Sequence, residues 1–323
     1  MKIECPQEND IVRTLRHDWR EVVAERARCW SEQEEYTLDQ VNLSRPEPVH
    51  LEWSGGTAPY TVEIGHQQIK TGEKEYFLYN LECDREYEWR VTDSNGESVA
   101  GTLKTAYCPR LIAMPDRDRG PVNFRDWGGW KTVDGRRLRQ GRGYRGTAPD
   151  LFVPSTEKNL RYLREELKIC TDLDLRYDSQ VEGRHSSDLG EGVRWIHKPV
   201  NAYNSFTPDQ NQLFAETIRL FADPELYPVF VHCAGGCDRT GEIVFLIQAV
   251  CGVSDEDLFT EYELTSLWAP RSRTIPYLVD WLEKIMSFSS GETDLRKCVV
   301  NYLEKIGVTA VEQEQIRQNL LES

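Results

Sequence analysis

The stretch PVFVHCAGGCDRTGEIVFLIQAVCG, residues 228–252, decides the fold. Its first residues, Pro228 to Val231, are apolar and predict a buried strand. An apolar helix is expected to begin near Thr240 and to end at Gly252. A strand that leads through a short glycine-rich turn into a helix is typical of α/β folds, which bind ligands at the carboxyl ends of their strands.

The turn between strand and helix could be a metal site, a redox pair, a phosphate cradle or a plain turn. A structural zinc site needs four ligands, and no second Cys or His pair lies near His232, Cys233 and Cys237. A thioredoxin-type redox centre needs Cys-x-x-Cys, and this spacing is longer. The pattern Cys-x5-Arg, from Cys233 to Arg239, indicates a phosphate cradle that contains a nucleophile.

The Cys-x5-Arg spacing is not decisive by itself, since it occurs again from Cys170 to Arg176. The five residues between that second pair, TDLDL, include two carboxylates and no glycine. They predict a strand whose negative charge would repel a phosphate. In the quoted stretch, by contrast, Gly235 and Gly236 allow backbone N–H groups to converge as an anion-binding nest.

The expected helix start adds positive potential to the same turn. A helix dipole favours an anion at its N-terminus and lowers the pKa of a cysteine there, so Cys233 is expected to ionise at neutral pH. Arg239 offers a planar fork for two phosphoryl oxygens. These features together indicate a phosphate site with Cys233 as nucleophile.

Outside this stretch the pattern of the chain changes twice. Residues 7–30 predict a charged amphipathic helix within an N-terminal segment, 1–40. Residues 41–108 alternate apolar and polar side chains and predict a small all-β sandwich. From residue 109 to 323, helices alternate with short apolar strands. The expected fold is therefore an α/β domain, with a central largely parallel sheet flanked by helices, preceded by the sandwich.

The composition of the chain argues against some classes of function and favours one cellular location. A net charge of −15 argues against nucleic-acid binding, although residues 110–145 hold ten Lys and Arg against four Asp, a net charge of +6. That segment is either a solvated basic face or a positive field beside an anion site. No apolar run approaches the roughly 18 residues of a membrane span. Nine cysteines, an odd number, favour reduced thiols and a cytoplasmic location, with export after removal of a signal peptide as the alternative.

The quoted stretch resembles the signature loop of the protein tyrosine phosphatase superfamily, in the bacterial branch whose loop reads HCxAGKDRTG. NFRDWGGWKTVDGRRLRQGRGYR (123–145) resembles that family's NFRDLGG, DGR and GRLYRS motifs, and LKICTDLDLR (167–176) its strand ending in DLR. LIQAVCGVSDEDLFTEYELTS (246–266) is similar to the helix pair after the loop. The resemblance covers about residues 109–323 and implies a tyrosine or dual-specificity phosphatase.

The resemblance implies a role for each residue of the loop. Cys233 would form a thiophosphate intermediate, His232 would orient the loop and Thr240 would hydrogen-bond the thiolate. The nest and the Arg239 side chain would stabilise the transition state, so neither a metal nor another cofactor is expected. The phosphate oxygens would be bound along Ala234, Gly235, Gly236, Cys237, Asp238 and Arg239.

A general acid must protonate the leaving oxygen. The resemblance to this branch makes the aspartate inside the loop, here Asp238, the leading candidate, with Asp174 of the DLR motif second and an acid elsewhere in the chain as the remaining alternative. Asp174 is also explained as scaffold, a carboxylate paired with Arg176 or with Arg125, and this interpretation is preferred. Arg125 and Asp126 are interpreted first as scaffold and second as support for the substrate or the loop.

Cys237 departs from the family, in which a lysine occupies this position. The lost positive charge favours a singly phosphorylated substrate over a phosphoinositide or an inositol phosphate. A reversible Cys233–Cys237 disulfide is one hypothesis, and a small neutral side chain that fills a pocket is the favoured alternative.

Residues 41–108 resemble a fibronectin type III domain, in which aromatic residues belong to the core. A spacer or docking module is therefore expected, rather than a carbohydrate site. Substrates would be a phosphorylated protein, peptide or small phosphomonoester. The competing functions are a phospho-ligand binding protein without turnover and a sandwich-led adhesion or carbohydrate-binding protein. The resemblance is carried by Pro48, Trp53, Leu81, Tyr87, Trp89, Val91, Lys104 and Thr105.

Overall fold

The computed structural model describes residues 1–15, 20–21, 23–24, 45–117, 119–268 and 276–323, with all their side chains except those of 276 and 277. The chain divides into a β unit, Met1–Trp19 with Asn42–Ala113, and an α/β unit, Arg20–Val41 with Met114–Ser323. None of the helices in the described ranges combines the length and the apolar character that a membrane crossing requires.

The β unit contains two sheets, with strand orders β1-β3-β6 and β2-β8-β7-β4-β5. Neighbouring strands are antiparallel, except that β2 runs parallel to β8. The strands are β1 (Lys2–Cys5), β2 (Asp10–Val12), β3 (Val49–Ser54), β4 (Tyr60–Ile64), β5 (Gln67–Thr71), β6 (Glu75–Leu78), β7 (Glu86–Thr92) and β8 (Ser98–Thr105), followed by the short β9 (Arg110–Leu111).

Both sheets contribute side chains to one hydrophobic core. Along β3, buried residues alternate with more exposed ones, as expected for a strand with one face towards a core. Trp53 of β3 and Trp89 of β7 are each 1% exposed and belong to this core together with Val62 and Leu103. The two tryptophans are core residues, as expected, and the fibronectin type III resemblance stays a prediction.

The N-terminal residues differ from the helix predicted for 7–30. β1 pairs antiparallel with β3, and Asp10–Val12 pairs parallel with β8, so the prediction is wrong over this part. Pairing with a neighbouring strand satisfies the backbone N–H and C=O groups of these residues. This pairing overrides the local helical spacing of their apolar side chains. Residues 20–21 and 23–24 are helical, and the rest of the predicted helix lies outside the described residues.

The α/β unit is organised around a central sheet, in which hydrogen-bonded neighbours run in the order β13, β12, β14, β11 and β10. The first four strands are mutually parallel, and β10 is antiparallel to β11. The expected α/β fold with a largely parallel sheet is confirmed. The strands are β10 (Arg125–Asp126), β11 (Gly143–Thr147), β12 (Thr171–Asp174), β13 (Arg194–His197) and β14 (Val229–Cys233).

Helices surround this sheet, and α3 is the most buried of them, since residues 239–250 are all shielded from solvent. It begins at Asp238, two residues earlier than expected, so Asp238, Arg239 and Thr240 form its first turn. A π-helix, Tyr162–Glu166, continues α1. The helices are α1 (Glu157–Arg161), α2 (Pro208–Leu220), α3 (Asp238–Val250), α4 (Asp255–Glu263), α5 (Pro276–Ser287), α6 (Leu295–Ile306) and α7 (Ala310–Leu320).

Candidate active site

The loop Ala234–Cys237 connects β14 to α3 and holds the candidate site. Gly236 has a φ of +63°, and a Cβ atom there would lie 2.0 Å from the carbonyl oxygen of Gly146 in β11. An L-residue is strained at this φ, and the neighbouring strand backbone cannot withdraw. The loop can therefore approach β11 this closely only with glycine at position 236.

Two side chains hold the loop by its carbonyl oxygens. Arg145 Nη2 donates to the carbonyls of Gly236 at 2.8 Å and Cys237 at 3.3 Å. Asn123 Nδ2 donates to the carbonyls of Gly235 at 3.3 Å and Gly236 at 3.1 Å. In a planar trans peptide the N–H points opposite to the C=O, so the amides that follow turn away from Arg145 and Asn123. Successive amides turned to one side form a concavity that binds anions.

A buried group of charges fixes these supports. Arg125 Nε and Arg145 Nη1 lie 2.8 and 3.2 Å from the same oxygen, Oε1 of Glu261. Arg125 Nη1 also donates to Oδ1 of Asn123 at 2.6 Å. Because both arginines share the carboxylate of Glu261 and are almost fully buried, they act as internal supports of the loop, and neither belongs to a solvated basic face.

Cys233 ends β14 and is 2% exposed. Burial by itself would raise the pKa of its thiol, but the charge of Arg239 and the nearby polar groups of Thr240 outweigh it. The pKa of Cys233 is therefore lower than that of an ordinary cysteine. A buried thiolate beside a helix N-terminus and an arginine is a typical activated nucleophile.

Arg239 is held by neutral groups. Its Nη1 donates to the carbonyl of Leu175 at 3.1 Å and to Oε1 of Gln180 at 3.0 Å. The ring of Tyr177 lies 4.3 Å from the guanidinium carbon. None of these partners is an anion, so the positive charge of Arg239 is not cancelled by them and can act on Cys233 and on a bound phosphate.

His232 is fully buried between two carboxylates. Its Nε2 lies 2.8 Å from Oδ1 of Asp172, and its Nδ1 lies 3.8 Å from Oδ1 of Asp174. Burial opposes protonation, yet the two negative charges prevail and raise the pKa of His232 to about 9. The ring is also within 3.2 Å of the carbonyl of Cys233, so a charged imidazole anchors the start of the loop.

Asp174 and Arg176, both predicted from the DLR motif, form a tight pair. Arg176 Nη2 lies 2.7 Å from Oδ2 of Asp174, and Arg176 Nη1 lies 2.8 Å from Oδ1 of Asp150. Burial would raise the pKa of Asp174, but the charges of His232 and Arg176 lower it to about 2. Asp174 is therefore an anion at neutral pH, as the scaffold interpretation requires.

Asp238, the first residue of α3, is half-buried and accepts a hydrogen bond from the hydroxyl of Tyr203 at 2.8 Å. The same hydroxyl contacts that of Tyr262, and burial raises the pKa of Tyr203, so the group stays protonated. The backbone N–H of Tyr203, which has a φ of +54°, donates at 2.8 Å to Glu242, one helical turn after Asp238. Tyr203 thus connects two carboxyl groups of α3.

Cys237 directs its thiol at the loop itself. The Sγ atom donates to the carbonyl of Gly235 at 3.1 Å and lies 3.9 Å from Nδ2 of Asn123. These are the contacts of a small side chain packed on the loop.

Asp126 has a supporting position, since its Oδ1 and Oδ2 accept hydrogen bonds from the amides of Gly128 at 2.8 Å and Gly141 at 2.6 Å. Across the described part of the chain, no three His, Cys, Asp or Glu side chains cluster as a metal site.

Sequence reasoning found the loop and missed its supports. The structure brings Cys233, Asp238, Arg239 and Thr240 together with Ala234–Cys237 and His232 around one turn. Asn123 belongs to the quoted NFRD motif, which predicts a supporting role only for Arg125 and Asp126. Asp172 stands in the TDLDL segment that counted against a second phosphate site. Glu261, Tyr203 and Gln180 carry no local signal, because their roles depend on contacts between distant segments.

The comparison with protein families covers the part of the chain that holds the strand–loop–helix site. The model of the tyrosine phosphatase family matches residues 119–322, more than half of the chain. The protein therefore belongs to the tyrosine phosphatase family.

The individual proteins that resemble this chain have low sequence identity to it. A Cupriavidus necator protein named "Putative tyrosine-protein phosphatase" is 26% identical over 170 residues, which cover 43% of this chain and 59% of the relative. The chain thus spans less than two thirds of that relative's length. The core catalytic domain of the PP-IP phosphatase SIW14 from S. cerevisiae, in complex with citrate, is 18% identical with a TM-score of 0.33, covering 44% of this chain and 83% of that one. A second structure of the Siw14 catalytic core has the same identity and TM-score, with coverages of 47% and 80%.

Proposed function

We propose that this protein is a cysteine-dependent phosphomonoester hydrolase in which the Cys233 thiolate attacks phosphorus. The observation that carries the proposal is the position of the Cys233 thiol, which is buried at the junction of β14 and α3, where the charge of Arg239 lowers its pKa. A bond forms between Sγ of Cys233 and phosphorus as the bond to the leaving oxygen breaks. The product of this step is a thiophosphate on Cys233.

The loop would hold the phosphate during this step. Its amides turn away from Arg145 and Asn123, and the N-terminus of α3 adds its dipole to the same place. Arg239 would exchange its neutral partners, the Leu175 carbonyl and Gln180, for two phosphoryl oxygens. Positive groups fixed before the reaction stabilise the charge that develops on those oxygens.

Asp238 is the proposed general acid. It follows the loop directly, and the Tyr203 hydroxyl fixes its Oδ1, so its carboxyl group would be oriented to pass a proton to the leaving oxygen. Asp174 does not suit this role, because His232 and Arg176 lower its pKa to about 2 and keep it ionised. In the second step the Asp238 carboxylate would take a proton from the water that attacks phosphorus, which releases phosphate and the Cys233 thiolate.

A singly phosphorylated substrate, such as a phosphotyrosyl peptide or a small aryl phosphate, is proposed over a polyphosphorylated inositol. Cys237 brings no charge to the loop, and its thiol contacts Gly235 and Asn123. The nearby Arg125 and Arg145 share the carboxylate of Glu261 and are almost fully buried, so their guanidinium groups are not presented to a substrate. A polyanionic substrate would gain little from such surroundings.

The β unit is proposed as a fibronectin type III-like sandwich that acts as a spacer or docks a partner.

The test is hydrolysis of p-nitrophenyl phosphate by the full chain. We expect turnover in the wild type, a loss on the order of 10⁴-fold in Cys233→Ser, and near-normal rates in the matched Cys170→Ser variant. Acid-quenched wild-type protein should contain phosphocysteine at residue 233. Binding of the substrate with no turnover in the wild type would instead identify a phospho-ligand binding protein.

A substrate panel tests the second part of the proposal. Phosphotyrosyl and phosphoseryl peptides, phosphoinositides and soluble inositol phosphates would be compared by kcat/KM. We expect aryl and singly phosphorylated substrates to lead. A preference for a polyphosphorylated inositol would contradict the argument from Cys237 and leave the thiophosphate mechanism intact.

A further inference from the structure

Two thiols of the β unit, far from the candidate site in sequence, lie in contact. The Sγ atoms of Cys83 and Cys108 are 3.2 Å apart, and both residues are reduced. Cys83 follows β6 by five residues, and Cys108 follows β8 by three. The hydroxyl of Thr14 lies 3.1 Å from Sγ of Cys108 and 3.5 Å from Sγ of Cys83, so the pair has a common polar neighbour.

Hydrogen bonds outside the pair hold the two segments together. The amide of Asp84 donates to the carbonyl of Ala106 at 3.1 Å, and the amide of Thr105 donates to the carbonyl of Arg85 at 2.9 Å. The Thr105 hydroxyl donates to the carbonyl of Glu82 at 2.7 Å. These bonds flank Cys83 on both sides, so the thiols stay close whether or not they react. A sulfur–sulfur bond of about 2.05 Å requires a movement of little more than 1 Å.

The two thiols differ in acidity. The hydrogen bond with Cys83 is the main effect that lowers the pKa of Cys108, and the hydrogen bond with the Thr14 hydroxyl lowers it further. Burial raises this pKa, but by less. The same contact with Cys108, together with burial, raises the pKa of Cys83. Cys108 is also the more exposed of the two, so a reagent from solvent meets the more acidic thiol first.

We propose that Cys83 and Cys108 form a reversible disulfide site that exchanges with small-molecule disulfides. The Cys108 thiolate attacks one sulfur of the small disulfide and releases the other half as a thiolate. Cys83, after losing its proton, then attacks the Cys108 sulfur of the mixed disulfide and releases the second half. Two electrons pass from the protein to the small disulfide, and the two protons end on the two released thiols. This site is independent of the phosphatase chemistry at Cys233.

The test is equilibration of the full chain in glutathione buffers of increasing oxidising strength, followed by acid quenching, alkylation and tryptic digestion without reductant. Cleavage at Lys74, Arg85, Lys104 and Arg110 places the two cysteines in separate peptides, 75–85 and 105–110. We expect these two peptides to be linked by a disulfide, and to be linked as readily in the control variant Cys5→Ser. Alkylation or single glutathionylation of Cys83 and Cys108 throughout the series would overturn the proposal, as would a preference of either for another cysteine.

A stability measurement on the oxidised and the reduced protein gives a second readout. Closing a ring of about 25 residues restricts the unfolded chain, so the oxidised wild type should unfold at least about 5 °C above its reduced form. The increase should be absent from Cys83→Ser and from Cys108→Ser. An equal increase in those variants would place the stabilising event elsewhere and contradict the assignment.

Discussion

Two segments of this protein share the spacing Cys-x5-Arg and lie on neighbouring parallel strands. Cys170 precedes β12, and its thiol lies 3.6 Å from the carbonyl of Pro228. Cys233 is the last residue of β14, and ligands of α/β folds bind at the carboxyl ends of such strands. The two cysteines are thus at opposite ends of adjacent strands, although the distance to the arginine in sequence is the same.

The arginines differ in the charge of their partners. Arg176 pairs with Asp174 and Asp150, so its charge is already balanced. Arg239 is held by the Leu175 carbonyl, by Gln180 and by the Tyr177 ring, all of which are neutral. A phosphate can therefore recruit the second arginine without displacing an anion. The spacing positions an arginine, and the carboxylates around it decide whether the arginine supports the fold or binds a ligand.

Alanine substitution of the two arginines should separate these roles, and this is the largest difference that we expect. In Arg239→Ala the loss of the charge that faces phosphorus should reduce kcat roughly 10²–10³-fold, with a small effect on stability. In Arg176→Ala the buried Asp174 loses its closest partner, which should lower the free energy of unfolding by about 3 kcal/mol. Turnover of p-nitrophenyl phosphate and urea denaturation measure the two quantities. Similar kinetic losses in both folded variants would contradict the distinction.

Glycine is the second difference, because TDLDL contains none. Gly236→Ala places a Cβ 2.0 Å from the Gly146 carbonyl at a φ of +63°, so the loop must move away from β11. A displacement of about 1 Å should reduce kcat roughly 10²-fold. Gly135 is the matched control, since its φ is +87° and, apart from its chain neighbours, no atom of the described residues lies within 4 Å of its Cβ position. Gly135→Ala should cost about 1 kcal/mol of stability and leave kcat unchanged. Normal turnover in Gly236→Ala would show that the loop tolerates the shift.

The sequence was sufficient for the strand, the glycine turn and the apolar helix, because all three are encoded within 25 consecutive residues. The supports of the loop could not be predicted in this way. Glu261 is 136 residues from Arg125 and 116 from Arg145, and nothing near it in sequence indicates that it pairs with both. Tyr203 reaches Asp238 from 35 residues away, on backbone with a positive φ that is unusual for tyrosine.

The start of the chain shows the same limit in the fold. Residues from 7 onwards have helical apolar spacing, yet Asp10–Val12 is a strand because β8 offers an open edge for pairing. Local periodicity cannot report such an edge, which is formed by a segment some ninety residues later. Local patterns were therefore reliable where a buried element is continuous in sequence, and unreliable where pairing with a distant segment decides the conformation.

The two Cys-x5-Arg segments contact each other at His232. The carboxylates of Asp172 and Asp174, in the TDLDL segment, flank this histidine, which directly precedes Cys233. Its pKa of about 9 in the folded protein lies above the 6.5 of an unfolded histidine. The stabilisation is therefore complete below pH 6.5 and is lost as the pH rises through 9, with a total of roughly 3 kcal/mol. The difference in unfolding free energy between the wild type and His232→Gln should shrink over this range in urea titrations. A difference that is independent of pH would mean that His232 is neutral between Asp172 and Asp174.

The smallest effect is expected from the hydroxyl that fixes Asp238. Tyr203→Phe removes the 2.8 Å hydrogen bond to Oδ1, and the loss of about 1 kcal/mol in positioning should lower kcat roughly fivefold. The loss should be larger for alkyl phosphates than for p-nitrophenyl phosphate, because a nitrophenolate needs little protonation to leave. Tyr227→Phe is the matched control, since that buried hydroxyl donates only to the carbonyl of Phe221 among its described partners. In an Asp238→Asn background, Tyr203→Phe should have no further effect on kcat. A full additional loss there would mean that Tyr203 acts on the reaction independently of Asp238.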